Sequence, residues 1–182
     1  MRLIQEAEKA GAIAVGVDVD GAGSVPMAMK GQPVFRKSVG ELRELVQSTR
    51  LPFIIKGITS EEDAVSALET GCKVVGVSNH GGRVLDCMLG VAEALPRLVP
   101  ILKGKVTITA DGGVRTGFDV IKMLALGADF VMVGREMIRA AIGGGAEGVR
   151  TEMDFLAKDL RKAMTMTSCN SIPGINARIF AQ

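Results

Sequence analysis

Residues 106–135 read VTITADGGVRTGFDVIKMLALGADFVMVGR, and the order of patterns in that stretch decides the fold class. VTITADG is a short β-branched apolar run that closes in glycines. Thr116 with Asp119 then makes a capping box, Val120, Met123 and Leu124 follow at helical spacing, and Gly127 is the stop. DFVMVGR is a second apolar run. Strand, helix, strand with so short a connection at each end is a parallel crossover unit.

The same unit recurs outward from this stretch. AIAVGVDV (12–19), PFIIKGI (52–58) and KVVGVSN (73–79) are further apolar runs without strict alternation, and all five runs read as strands buried on both faces. Between them, Leu3, Ile4 and Ala7 form a stripe that stops at Gly11. Ser38 with Glu41 and Ser60 with Asp63 make two more helix starts. Val149, Met153, Leu156, Leu160 and Met164 mark a long final helix. Residues 20–37 have no clear period and read as a long loop, a lid or a disordered segment. The order is five strands alternating with six helices in one domain spanning 1–182. Five parallel strands suit either a doubly wound sheet or part of a (β/α)8 barrel, and a whole barrel takes about 250 residues. In both, chemistry sits at the carboxyl ends of the strands.

Composition removes other classes of function. Lys plus Arg is 22 and Asp plus Glu is 20, so the net charge of +2 is too balanced for a nucleic-acid or membrane-surface binder. Trp and Tyr are absent, which leaves little for base stacking. No apolar run reaches the roughly 18 residues of a membrane span, and the charged N-terminus is no secretory signal. Cys72, Cys87 and Cys169 form no CxxC pair and read as reduced thiols, so a cytoplasmic protein without a bound metal is expected.

Five groups stand at the strand ends. Asp111, Gly112, Gly113, Val114 and Arg115 open a helix, and Gly134 and Arg135 follow the last strand. Glycines that admit an anion, free helix N–H groups and two guanidinium groups suit a phosphate. His80 lies in Ser78-Asn79-His80-Gly81-Gly82-Arg83 and is the only histidine, placed to act as a base, with Arg83 suited to a carboxylate. Lys56, near the end of an apolar strand, suits a developing negative charge. Asp18 can orient an imidazole; Asp20 competes for that task or caps the loop.

LPFIIKGI, VSNHGGRVLD, ADGGVRTGFDVIKMLALGAD and VGR together resemble the FMN-dependent α-hydroxy-acid oxidases and dehydrogenases, the glycolate and lactate oxidase family. The resemblance implies a (β/α)8 barrel of which this chain carries strands four to eight, as a truncated piece of a larger oxidase-like barrel. It implies FMN as cofactor and a small 2-hydroxy acid as substrate. By the same resemblance His80 is the base, Arg83 grips the substrate carboxylate and Asp18 pairs with the histidine. Lys56 and Ser78 lie at the flavin, and Asp111–Arg115 with Gly134 and Arg135 lie around its ribityl and phosphate. The family's substrate-facing Tyr has no counterpart, and Val25 stands near the place of a second family Arg. A five-strand piece has two edges, so a homo-oligomer or a pairing with the remaining half is expected. The alternatives are another FMN or phosphate barrel, such as a type 2 isopentenyl-diphosphate isomerase, and an inactive fragment that binds only phosphate.

Overall fold

The computed structural model describes residues 1–32 and 34–180. Its elements are α1 (Arg2–Lys9), β1 (Val15–Asp18), α2 (Val25–Met29), α3 (Val39–Gln47), β2 (Phe53–Ile58), α4 (Glu61–Glu69) and β3 (Val74–Val77). They continue as α5 (Val91–Leu102), β4 (Thr107–Ala110), α6 (Gly117–Ala125), β5 (Phe130–Val131) and α7 (Arg135–Met166), with two short 3-10 turns after it. The five strands form one parallel sheet in the order β1-β2-β3-β4-β5. A doubly wound sheet reverses its order at a switch point; this one never does. Sequential order with right-handed crossovers is the winding of a (β/α) barrel, and five strands make an arc of it.

The helices start where local chemistry fixes them. The Ser38 and Thr116 hydroxyls each accept from the Glu41 and Asp119 N–H, whose carboxylates in turn accept the N–H of Ser38 and Thr116, and the Ser60 hydroxyl accepts from the Asp63 N–H. Each such cap contributes about 1 kcal/mol. The core lies between the outer face of the sheet and the helices. Phe53, Ile55, Val75, Val77 and Ile108 meet Ala64, Ala67, Leu95, Leu98 and Leu102, all buried.

The structure corrects four expectations. Only β3 is buried on both faces; β2 and β4 alternate, with Phe53, Ile55, Ile108 and Ala110 buried and Ile54, Lys56, Thr107 and Thr109 half-buried on the inner side of the arc. An inner face is sealed only when a cylinder closes, and five strands do not close one. β5 is two residues long, because only β4 pairs with it and the ladder stops where β4 ends. The segment 20–37 contains α2, where Pro26 sets the first turn, and the Gly23 N–H donates to the Val34 carbonyl across its base at 2.9 Å. The final helix starts at Arg135 and kinks at Gly145, whose φ of 56° combined with ψ of −141° only a glycine adopts with ease.

α5 persists with Pro96 and Pro100 inside it. Each proline removes a backbone bond. The buried stripe Val91, Ala94, Leu95, Leu98 and Leu102 holds the helix against β3 and β4 all the same.

Candidate active site

The carboxyl ends of β2, β3, β4 and β5 converge on one cavity of about 280 Å³, lined by Lys56, by His80, Gly81 and Arg83, by Asp111–Arg115 and by Met132–Glu136. Against it lies a second cavity of about 480 Å³, walled by residues 20–26, His80, Arg83 and Val84. His80 and Arg83 line both.

β3 delivers the histidine. Ser78 is fully buried; its hydroxyl donates to Asp111 Oδ1 at 2.7 Å and accepts the His80 N–H at 3.1 Å. His80 has φ 56°, a left-handed backbone that histidine tolerates better than most residues. Gly81 and Gly82 continue the turn with positive φ, and Arg83 Nε donates back to the His80 carbonyl at 3.0 Å. The guanidinium therefore braces the loop with one N–H, and among the described residues no carboxylate forms an ion pair with it.

β1 and β2 deliver the charges. In the parallel register Asp18 stands opposite Lys56, and Lys56 Nζ lies 2.7 Å from Asp18 Oδ1 and 3.6 Å from Asp111 Oδ2. Gly76 on β3 leaves room for the lysine stem: a Cβ there would lie 2.8 Å from Lys56 Cγ. Burial alone pulls the Lys56 ammonium down, but the Asp18 hydrogen bond and the charges of Asp111, Asp18 and Asp20 outweigh it and hold it above its ordinary value.

Asp18 is the carboxylate expected against the imidazole, yet the direct neighbour of His80 Nδ1 is Asp20 Oδ1, at 3.4 Å. The cause is the cross-strand register, which hands Asp18 to Lys56. Asp20 is seated by Gly57, a residue the sequence reading passed over. A register shift between Lys56 and Ile58 marks a bulge there, and at its φ of 99° a Cβ would lie 2.6 Å from Asp20 Cγ. An isolated glycine inside a strand is the signal that finds such a bulge. Asp18, Asp20 and His80 each offer an atom within 4.8 Å of the others, a spacing a metal ion accepts; Lys56 already supplies a cation at Asp18.

β4 and β5 deliver the anion side. Gly112 and Gly113 have φ of 90° and 76°, and a Cβ at Gly113 or Gly134 would meet nothing within 4 Å. Asp119 Oδ2 ties the turn to α6 by accepting from the Arg115 and Thr116 N–H groups and the Thr116 hydroxyl. Arg115 is exposed, 3.7 Å from Glu136, which is otherwise held by Arg139 at 2.9 Å. The Arg135 guanidinium lies over Gly81, 3.3 Å from where a Cβ would be. Val114 is buried in the core, so its share in the site is its backbone.

The family model described as FMN-dependent dehydrogenase matches residues 24–182. The chain belongs to that family. The chain is 46% identical over 131 residues to an L-lactate dehydrogenase of Acinetobacter baumannii, a match that covers 72% of this chain and 34% of the other. It superposes on a mandelate oxidase variant solved with (S)-mandelic acid at a TM-score of 0.86 and 33% identity, covering 96% of this chain and 56% of that one. A mandelate oxidase variant with a monooxide FMN adduct gives 0.84 and 34%, with 96% and 56% covered. The chain thus spans about a third to a little over half of the length of the proteins it matches.

The donor set at the strand ends fits FMN, the group the family model's description names. The open glycine cradle and the guanidinium groups of Arg115 and Arg135 would hold the phosphate, and Lys56 would face the polar edge of the ring. Thr109 Oγ1, buried without a partner, lies in an inner cavity with Lys56 and Met132 and adds a donor beside them.

Proposed function

We propose that this chain carries the FMN- and substrate-binding half of an oxidoreductase that converts a small 2-hydroxy acid to the 2-oxo acid. The observation that carries the reading is the sharing of His80 and Arg83 between two adjoining cavities, one with the glycine cradle and the other closed by residues 20–26. Bound in the first, the flavin would accept the two electrons and the second hydrogen that the substrate loses. In the second, the terminal N–H groups of Arg83 hold the acid's carboxylate. That places its C2 hydroxyl at the imidazole of His80, which takes a proton from the substrate. Lys56 stabilises negative charge that builds up on the cofactor side.

An isomerase of a diphosphate substrate gives Arg83 no task in the second cavity, so the hydroxy-acid reading fits better. Among the described residues β1 and β5 each have one edge without a strand partner, and the exposure of Phe130 on β5 at 63% and of Ile13, just before β1, at 89% supports their being covered by further strands or by a second copy. The functional reading is tested by titrating the purified chain with FMN and following flavin fluorescence. Saturable uptake, lost when Arg115 and Arg135 are both replaced by Met, supports it. Uptake that ignores those two replacements overturns it.

A further inference from the structure

Two carboxylates stand at the end of β1, and each has its own partner: Lys56 for Asp18 and His80 for Asp20. We propose that Asp20 is the positioning residue of His80, holding the Nδ1 proton so that Nε2 is the basic atom, and that Asp18 serves Lys56 instead. The inference rests on the reading of His80 as the base, and it moves the histidine's partner two residues along the chain from where the family resemblance puts it.

Geometry separates the two acids. The Asp18 side chain is 44% exposed and spends one oxygen on Lys56 Nζ at 2.7 Å. The Asp20 side chain is 3% exposed, faces the imidazole with Oδ1, and has its Oδ2 buried without any partner. Leaving a buried carboxylate oxygen unpaired is costly, and such a cost is retained where the group has a task. The backbone is built to keep Asp20 there, since only a glycine at 57 leaves room for it. The other charged groups around the ring point elsewhere. Arg83 Nε is bound to the His80 carbonyl, Arg135 lies over Gly81, and Lys56 is held between Asp18 and Asp111.

The chemical consequence is definite. With Nδ1–H donated to Asp20, the Nε2 lone pair is free for a substrate proton. When that proton arrives, the imidazolium forms beside a carboxylate shielded from water, where the attraction is strongest. Asp18 cannot do the same while the ammonium of Lys56 neutralises it.

The chain has one histidine, so a long-range proton–nitrogen correlation spectrum of the 15N-labelled protein shows a single imidazole. At alkaline pH, with the ring neutral, the parent is expected to carry its proton on Nδ1. Asp20→Ala should lose that form and move the proton to Nε2, and Asp18→Ala should keep it on Nδ1. A parent ring protonated on Nε2 overturns the proposal, as does a switch in Asp18→Ala or the absence of one in a folded Asp20→Ala. Should Asp20→Ala not fold, by its amide spectrum, the parent and Asp18→Ala spectra decide. The readout needs no turnover. A chain that shows the expected pattern yet takes up no FMN would sink the proposed function and leave the Asp20 pairing intact.

Discussion

Gly117→Ala tests how the phosphate-side turn is anchored. Gly117 opens α6 directly after the Asp111–Thr116 turn, and α6 packs against α7 more extensively than against any other helix. A Cβ at 117 would lie 2.0 Å from Leu160 N, 2.5 Å from Asp159 C and 2.6 Å from Leu160 Cα. These are backbone atoms of a helix, so no side-chain rotation relieves the overlap. Ordinary van der Waals contact begins near 3.4 Å. The two helices must therefore part by about 1 Å or more, which loosens Ile121, Ala125 and Ala163, the buried residues between them. Overpacking of this kind costs about 1–3 kcal/mol and more where backbone must move, so about 3 kcal/mol is expected. For a chain of this size that lowers the midpoint of thermal unfolding by roughly 6–12 °C. Gly40→Ala is the control: the same change near the start of α3, where the nearest atom to a new Cβ is Ser38 Oγ at 3.9 Å, should be neutral or stabilising by up to about 1 kcal/mol. Unfolding of both variants by circular dichroism decides the matter. Equal stability of Gly117→Ala and the parent would refute the packing argument.

Three further outcomes follow from the site. Replacing Arg135 alone by Met removes a charge-assisted donor worth about 1.5–3 kcal/mol, so the FMN dissociation constant measured by fluorescence should rise roughly 10- to 100-fold. Arg83→Lys should raise KM for the acid by a similar factor in steady-state assays, because a lysine cannot brace the His80 carbonyl and present a two-pronged grip at once. Asp119→Ala should cost about 1–2 kcal/mol at neutral pH in urea unfolding. That cost should vanish in acid. Burial opposes the charge on Asp119, but the Arg115 N–H, the Thr116 hydroxyl and N–H, and Lys122 hold its carboxyl below the ordinary 3.8. A depressed carboxyl stabilises the fold above its unfolded value and loses that contribution as pH falls through the folded value, so parent and variant should converge below about pH 4.

What the sequence revealed divides along the range of the forces involved. The caps at Ser38 and Thr116 were legible because a hydroxyl and a carboxylate three residues apart settle a helix start locally. The anion turn was legible for the same reason, since glycines and arginines adjacent in sequence stay adjacent in space. α5 resists such a reading, because its two prolines argue against a helix and its buried leucines, which prevail, act through contacts with β3 and β4. The choice between Asp18 and Asp20 lies beyond local pattern altogether. It depends on the register of β1 against β2 and on a bulge at Gly57, thirty-seven residues from Asp20. Strand order, which separates a barrel from a doubly wound sheet, is equally a property of the assembled sheet.

At the centre of the proposed function, two adjoining cavities present a flavin and a hydroxy acid to each other across His80. An anaerobic titration of the FMN-loaded chain with L-lactate and with (S)-mandelate measures this most directly. Loss of the visible flavin band with one of these acids, absent in His80→Ala, is the predicted result. A bound flavin that stays oxidised in excess of both acids, or that His80→Ala reduces as readily as the parent, would contradict it.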